Sequence, residues 1–357
     1  SRRQRQMCIR DRSPALSYWS GRQRFEYRYR ILVCVTILQA LMNPIASLVL
    51  IRMNGGTAMM RILGIVGVQI CICVPIIVFQ FCKGKEFFSK EYWGYALRIG
   101  IPIVPHYLSG IILNQGDRIM IDKMVGKTEV ALYGLAYSIG MLVQLFISGM
   151  NSALTPWMYS KIKKGDIRSM RKVLQLLSVV VVGIAVALML ISPELVLIFG
   201  SPKYREAVYV IPPVAASVFF IFIYNILSMP QFYYEKTQFL MAASMAAAGA
   251  NVVLNFIFIR LFGYIAAGYT TLACYMLYSV GHYIVSKRIL VNEGIQENLM
   301  SPGFLVACSA FLIGASIICN LIFPYRILRY AILLASAGLV FWKKELLLKT
   351  MADIRKK

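Results

Sequence analysis

Ten runs of apolar residues, each bounded by charge, Gly or Pro, follow one another along the chain: 31–51, 62–82, 95–116, 132–156, 173–199, 207–229, 238–262, 264–286, 303–323 and 327–342. A helix needs about 20 apolar residues to cross a hydrocarbon core about 30 Å thick, so the pattern predicts about ten transmembrane helices. The seventh and eighth runs are nearly continuous and are divided at Gly263, because together they exceed one crossing. No soluble linker, low-complexity tract or short repeat interrupts them.

Composition agrees with this pattern. The 357 residues are 59% hydrophobic and 15% charged, and the mean hydropathy is +0.67. A water-soluble domain is nearer half apolar and a quarter charged. The chain therefore reads as an all-α polytopic membrane helix bundle without room for a large aqueous catalytic domain.

The formal charge of +23 would suggest nucleic acid in a soluble chain; in a membrane protein it reads as basic loops that set orientation. Placing residues 13–30 in the cytoplasm gives the inner segments roughly twice the Lys and Arg of the outer ones. The strongest cluster, Lys161, Lys163, Lys164, Arg168, Arg171 and Lys172, then lies inside. Both ends are expected in the cytoplasm. Residues 1–12, SRRQRQMCIRDR, lack an initiating Met and resemble a translated sequencing-adapter read-through, so they are expected to be a non-native leader. Removing its five Arg and one Asp leaves about +19.

Motifs for bond-making chemistry are missing. GxxxxGK[ST], HExxH and CxxC are not found, and the cysteines outside the leader fall in or at the end of apolar runs, without metal-ligand spacing. No cofactor, metal or catalytic group is expected.

Polar groups inside the spans carry the functional information, because they are costly unless they face protein or water. At 100° per residue, Tyr133, Tyr137, Gly140, Gln144, Ser148, Asn151 and Thr155 share one face of the fourth run. That face reads either as a border to a hydrated cavity or as a packing seam. In the third run Arg98, Pro102, His106 and Ser109 share a face, with Pro102 and Pro105 expected to kink the helix. Arg98 reads as an anion site or a snorkelling anchor, and His106 as a proton carrier or a satisfied internal donor. Asn114 follows, and then Asp117, Arg118, Asp122 and Lys123 at the outer end form either a solvated interfacial turn or an Arg118–Asp122 pair at i,i+4. In the seventh run Ala243, Ala247, Asn251 and Asn255 repeat every four residues, as small-residue packing or a cavity wall.

The stretch YWGYALRIGIPIVPHYLSGIILNQGDRIMIDKMVGKTEVALYGLAYSIG, followed by NSALTPWMYSKIKKGD, resembles the start of the carboxy-terminal lobe of oligosaccharide flippases. These are the polysaccharide biosynthesis proteins of the multidrug/oligosaccharidyl-lipid/polysaccharide exporter superfamily. WSGRQRFEYRYR similarly resembles the basic loop before that family's fifth helix. Ala131, where Gly is usual, and Gly134, where Ser is common, depart from the pattern. The resemblance implies two six-helix lobes around a central cavity, often with two further helices. The ten runs then correspond to the fifth to fourteenth helices of an amino-terminally truncated chain. Residues 13–86 would be a two-helix remnant of the first lobe, 87–288 the second lobe, and 289–357 two added helices with a basic cytoplasmic tail.

The resemblance further implies a multi-pass protein of the bacterial cytoplasmic (inner) membrane that is not an enzyme. It would flip undecaprenyl-diphosphate-linked oligosaccharide units by alternating access for capsule, exopolysaccharide or O-antigen synthesis. Its partners would be that lipid-linked substrate, the bilayer, and the glycosyltransferases and polymerase of the same pathway, with no nucleic acid. The expected cavity residues are Arg98, His106, Ser109, Asn114, Asp117, Arg118, Tyr133, Tyr137, Gln144, Asn151, Asn251 and Asn255, with His106, Asp117 or Asp122 coupling an ion. A lipid II flippase, a cation-coupled drug exporter and an integral-membrane glycan polymerase are the alternatives.

Overall fold

The computed structural model describes residues 13–53, 58–84 and 88–342. The leader at 1–12 and the tail from 343 lie outside the described residues. Among the described residues the chain is helical and has no strand, which makes it an all-α, multi-pass membrane protein. Contacts group residues 1–96 and 97–357 into two compact units.

In the first unit, α1 (Ser13–Phe25) precedes α2 (Tyr29–Met53) and α3 (Ala58–Gly84). The last two pack closely because Gly64 has no side chain. A Cβ there would stand 2.6 Å from the Ser47 Cα, and Ser47 sends its hydroxyl to Asn43 O at 2.7 Å and Arg61 O at 3.3 Å. Small residues at a membrane helix crossing allow such an approach. The outer faces of both helices carry exposed Leu, Ile and Val, as a lipid-facing surface requires.

α4 (Lys90–Met124) crosses the boundary between the units and runs helically through Pro102 and Pro105. It extends eight residues beyond the predicted end of the third run at 116. Asp117 is thereby a fully buried residue inside a helix rather than part of a solvated turn.

The fourth run is a broken span, not one straight helix. α5 (Lys127–Gly140) and α6 (Leu142–Lys163) meet at a 40° bend. The break falls where Gly140 packs on the next layer: a Cβ at Gly140 would lie 2.7 Å from the Val214 Cγ1, and Met141 leaves helical geometry with ψ near 1°. The polar face predicted over 132–156 is therefore split between two helices.

α7 (Ile167–Phe199) follows a cap in which Asp166 accepts from Ser169 N at 3.3 Å. The hydrogen bond from Lys161 Nζ, at 2.6 Å, is the main cause that holds the Asp166 carboxyl below its ordinary 3.8, at about 2. This cap is intact above the ordinary carboxylate range and is lost only as pH falls towards 2.

A 3-10 segment (Pro202–Val210) leads into α8 (Ile211–Tyr233), then α9 (Thr237–Phe262), α10 (Ala266–Asn292), α11 (Pro302–Ile322) and α12 (Arg326–Trp342). α8, IPPVAASVFFIFIYNILSMPQFY, is predominantly apolar, with Tyr224, Asn225, Ser228 and Gln231 in its second half, and a helix this apolar belongs at the centre of a bundle. It is buried over 89% of its crossing window, packed by α5, α6, α7, α9, α10 and α11.

Every predicted run lies in a helix, but the ten are not equal crossings. Among the described residues seven helices are long and apolar enough to span a bilayer, and the bent pair α5–α6 makes an eighth. The described part of α12, 17 residues, is shorter than such a span. α10 falls short in hydropathy because four tyrosines, two threonines and a histidine interrupt its apolar residues. Of these, Thr270, Thr271, Tyr275 and Tyr278 turn inward and build the site.

The orientation derived from the basic loops gives a direct expectation. Ser160 and Ser201 flank α7 and are both exposed. Single cysteines there, in a Cys-free background, should label from opposite sides of the membrane, with Ser160 on the cytoplasmic side; labelling from the same side would contradict the topology.

Candidate functional site

Two connected polar regions lie in the second unit. The deeper is centred on Asp117, which is fully buried with Tyr133, Asn251, Asn255 and Thr271. Oδ2 of Asp117 accepts from the Tyr133 hydroxyl at 2.5 Å and the Thr271 hydroxyl at 2.7 Å. Oδ1 accepts from Asn255 Nδ2 at 2.6 Å. Asn255 also reaches Asn251 Oδ1 at 3.2 Å and accepts from the Thr270 hydroxyl, and Asn251 Nδ2 reaches Thr271 Oγ1 at 3.4 Å.

Four helices thus meet on one carboxyl group: α4 supplies the acid, α5 the tyrosine, α9 two asparagines one turn apart, and α10 two adjacent threonines. Every donor is neutral. Among the described residues no Lys or Arg pairs with Asp117. A buried carboxylate without a cation is costly, so the cluster is suited to accept a positive ion or a proton.

The second region is an open cavity of about 760 Å³, within the range of small-molecule sites. α4 lines it with His106, Tyr107, Asn114, Gln115 and Arg118; α5 and α6 with Tyr137, Ser138 and Gln144; α8 with Tyr224, Asn225 and Ser228; α10 with Tyr275 and Tyr278. Asn114 joins the two regions. Its Oδ1 accepts from the Tyr137 hydroxyl at 2.7 Å and the Tyr275 hydroxyl at 3.2 Å, one helical turn from Asp117. Tyr133 and Tyr137, one turn apart on α5 with ring centroids 5.8 Å apart, thereby each bind one of the two polar residues on α4.

Arg118 is the cation in the cavity wall. Its guanidinium lies 5.3 Å from the Tyr137 ring centroid, an arrangement suited to cation–π attraction. It reaches Gln115 Oε1 at 3.4 Å, while its Nε has no hydrogen-bond partner. The Arg118–Asp122 pair, one of the two readings of this stretch, does not form: Asp122 is exposed, and the Arg118 guanidinium is directed to Gln115 and the Tyr137 ring. His106 Nδ1 lies 3.0 Å from the Tyr278 hydroxyl. Gln144 Oε1 is buried without a partner beside the cavity.

The predicted residues therefore divide. Asn114, Arg118, Tyr137, Gln144 and His106 line the cavity, and Asp117, Tyr133, Asn251 and Asn255 form the buried cluster. Ser109 is buried and spends its hydroxyl on Pro105 O at 2.8 Å. Asn151 is half-buried on α6, outside the cavity lining. Arg98 is exposed on α4 and does not line the cavity; it lies two turns before His106, about 12 Å at helical rise. Thr270, Thr271, Tyr275 and Tyr278 were not anticipated. Their signal in the sequence is a hydroxyl-bearing pattern at helical spacing inside α10.

The Polysaccharide biosynthesis protein family matches residues 22–163, and the MatE family matches residues 102–257. An Lsg-locus protein of Haemophilus influenzae is 28% identical over 172 residues, 45% of this chain and 41% of the relative. An uncharacterized membrane protein of the same organism is 29% identical over 167 residues, 44% of this chain and 40% of the relative. The aligned stretch thus spans about two fifths of the length of these curated relatives. The crystal structure of a mutant MATE protein is similar in fold, with a TM-score of 0.57 and 15% identity over 73% of this chain and 62% of that one. The two family matches overlap over residues 102–163, which carry Asp117, Tyr133 and the α4–α6 side of the cavity wall, and over the matched stretches the chain is similar to polysaccharide biosynthesis and MatE membrane proteins.

Proposed function

We propose that the complete protein is a flippase for lipid-linked oligosaccharides, carrying undecaprenyl-diphosphate-linked repeat units from the inner to the outer leaflet of the bacterial cytoplasmic membrane by alternating access. The observation that carries this reading is the composition of the 760 Å³ cavity. Sugars present hydroxyl groups and apolar ring faces, and tyrosine, asparagine and glutamine side chains complement both. A diphosphate needs a cation, and Arg118 offers a planar fork with an unpartnered Nε suited to phosphate oxygens. Neither sugar nor phosphate crosses hydrocarbon unaided.

The Asp117 cluster supplies the energy input in this account. An ion that neutralises Asp117, a proton or a hard monovalent cation held by the surrounding oxygens, would bias α4, α5, α9 and α10 between two arrangements. His106 faces the cavity and is a candidate for titration there, whereas exposed Asp122 is not assigned a role.

Arg118 gives the test. In the complete protein reconstituted in vesicles, Arg118→Ala should lower transfer of a lipid-linked oligosaccharide by at least about tenfold, equivalent to about 1.4 kcal/mol, and more than Arg118→Lys, which keeps charge but loses the fork. Wild-type transfer by both variants would overturn the assignment. A cation-coupled exporter of small molecules is the second reading, favoured by the fully buried Asp117. It would be supported by ion-driven efflux of a lipophilic cation in the same vesicles with no glycan transfer.

A further inference from the structure

A third polar group lies on α10, about 17 Å further along the helix than Thr271 at 1.5 Å per residue. His282, fully buried, bridges α10 to α8 through Gln231, also fully buried: Gln231 Nε2 stands 2.8 Å from His282 Nδ1 and also donates to Leu227 O at 3.3 Å. With the amide in this orientation both of its hydrogens are used, which assigns Nδ1 of the neutral ring as the acceptor and places its proton on Nε2. Three buried polar atoms here have no partner: His282 Nε2, Gln231 Oε1 and the hydroxyl of Ser286, which is one turn beyond His282 on the same face.

A neutral ring leaves acceptors unused at this position. Protonation adds an N–H donor at Nδ1, and Gln231 Oε1, buried without a partner, can accept from it once the amide turns over. The ring also lies between aromatic neighbours, 4.5 Å from Tyr278 and 5.9 Å from Tyr224 between centroids, within reach of cation–π stabilisation.

We propose that His282 is a proton-binding site of the α8–α10 pair, with the Gln231 amide donating to the neutral ring and, turned over, accepting from the protonated one. The proton is taken from water at Nδ1 and returned to water, with no other bond made or broken. The titratable groups facing it are Tyr224 on α8, Tyr278 on α10 and, across Tyr278, His106 on α4. α8 carries no charged residue, and the only one on α9 is Arg260, at its far end. Since His106 is bonded to the Tyr278 hydroxyl, the two histidines share one aromatic wall, and a proton on one disfavours a proton on the other. The site is separate from the Asp117 cluster and does not depend on what the protein carries.

Nitrogen NMR of the complete protein, labelled with 15N-histidine in bilayers, tests this; the signal lost in His282→Asn assigns the residue. The expected spectrum at neutral pH shows an Nε2–H tautomer with Nδ1 as acceptor, converting to the doubly protonated ring in acid while the protein remains folded. Gln231→Met should abolish the tautomer preference, and Gln231→Glu should make the doubly protonated ring dominant at neutral pH. A ring that stays neutral until the protein unfolds would overturn the proposal, as would a tautomer and titration unchanged in both variants. The readout is protonation, so it stands or falls separately from glycan transport.

Discussion

Asp117→Asn in the complete protein should leave the amount in the membrane near wild type and lower transport by at least about tenfold, equivalent to about 1.4 kcal/mol, with loss of ion dependence. Asparagine keeps the size of the side chain but not its charge, and one acceptor oxygen becomes a donor facing Tyr133, Thr271 or Asn255. Asp117→Ala should act on stability instead. It leaves those three donors, now bonded to the carboxyl at 2.5 to 2.7 Å, without an acceptor, at about 1–3 kcal/mol each. Transport rates measured against pH and against sodium would identify the ion. If Asp117→Asn transports like wild type with unchanged ion dependence, the cluster is a structural joint between four helices and not the coupling site.

A second large effect on stability is expected at Glu194, which forms a two-pronged pair with Arg329. Arg329 of α12 reaches the Glu194 carboxylate of α7 at 2.8 and 2.9 Å and Leu190 O at 2.7 Å. The partners differ in exposure, with 4% of the Arg329 side chain accessible against 25% of Glu194. Glu194→Ala leaves a buried cation without its counter-charge and should cost about 3–5 kcal/mol, read as a lower melting temperature in detergent. Arg329→Ala should cost less, because the freed carboxylate reaches solvent. Replacing both by Leu should restore most of the loss, since buried pairs can often be exchanged for apolar packing. Losses below about 0.5 kcal/mol in both single variants would show that the pair does not hold α12 to α7.

What the sequence made legible follows from what each helix faces. α8 reads from the sequence as one crossing among ten, because its central place depends on the six helices that pack on it. The polar residues of the fourth run were visible as one stripe, but the break at Met141 was not. It depends on Gly140 approaching Val214, a contact 74 residues away in the chain, so Tyr137 and Gln144 reach the cavity while Asn151 does not. The end of α4 was misread because charges at 117–123 normally mark an interface. Here Tyr133, Asn255 and Thr271, from three other helices, satisfy Asp117 inside the bundle, and no local pattern announces such partners. α10 could be recognised as a helix but not as the main polar wall, since its hydroxyl groups gain meaning only from the asparagines and tyrosines they meet.

Thiol labelling tests most directly the central claim, that the cavity around Arg118 is a hydrated binding site for a polar lipid-linked substrate. Single cysteines at Ser138, Gln144 and Asn225, which line it, would be compared in the complete, otherwise Cys-free protein with cysteines at Phe311 and Leu321, exposed on the apolar α11. The account predicts that the three cavity positions react with a small water-soluble reagent and are protected by lipid-linked oligosaccharide, while the two α11 positions stay unreactive. Inert cavity positions, or reactive ones that the oligosaccharide does not protect, would contradict it.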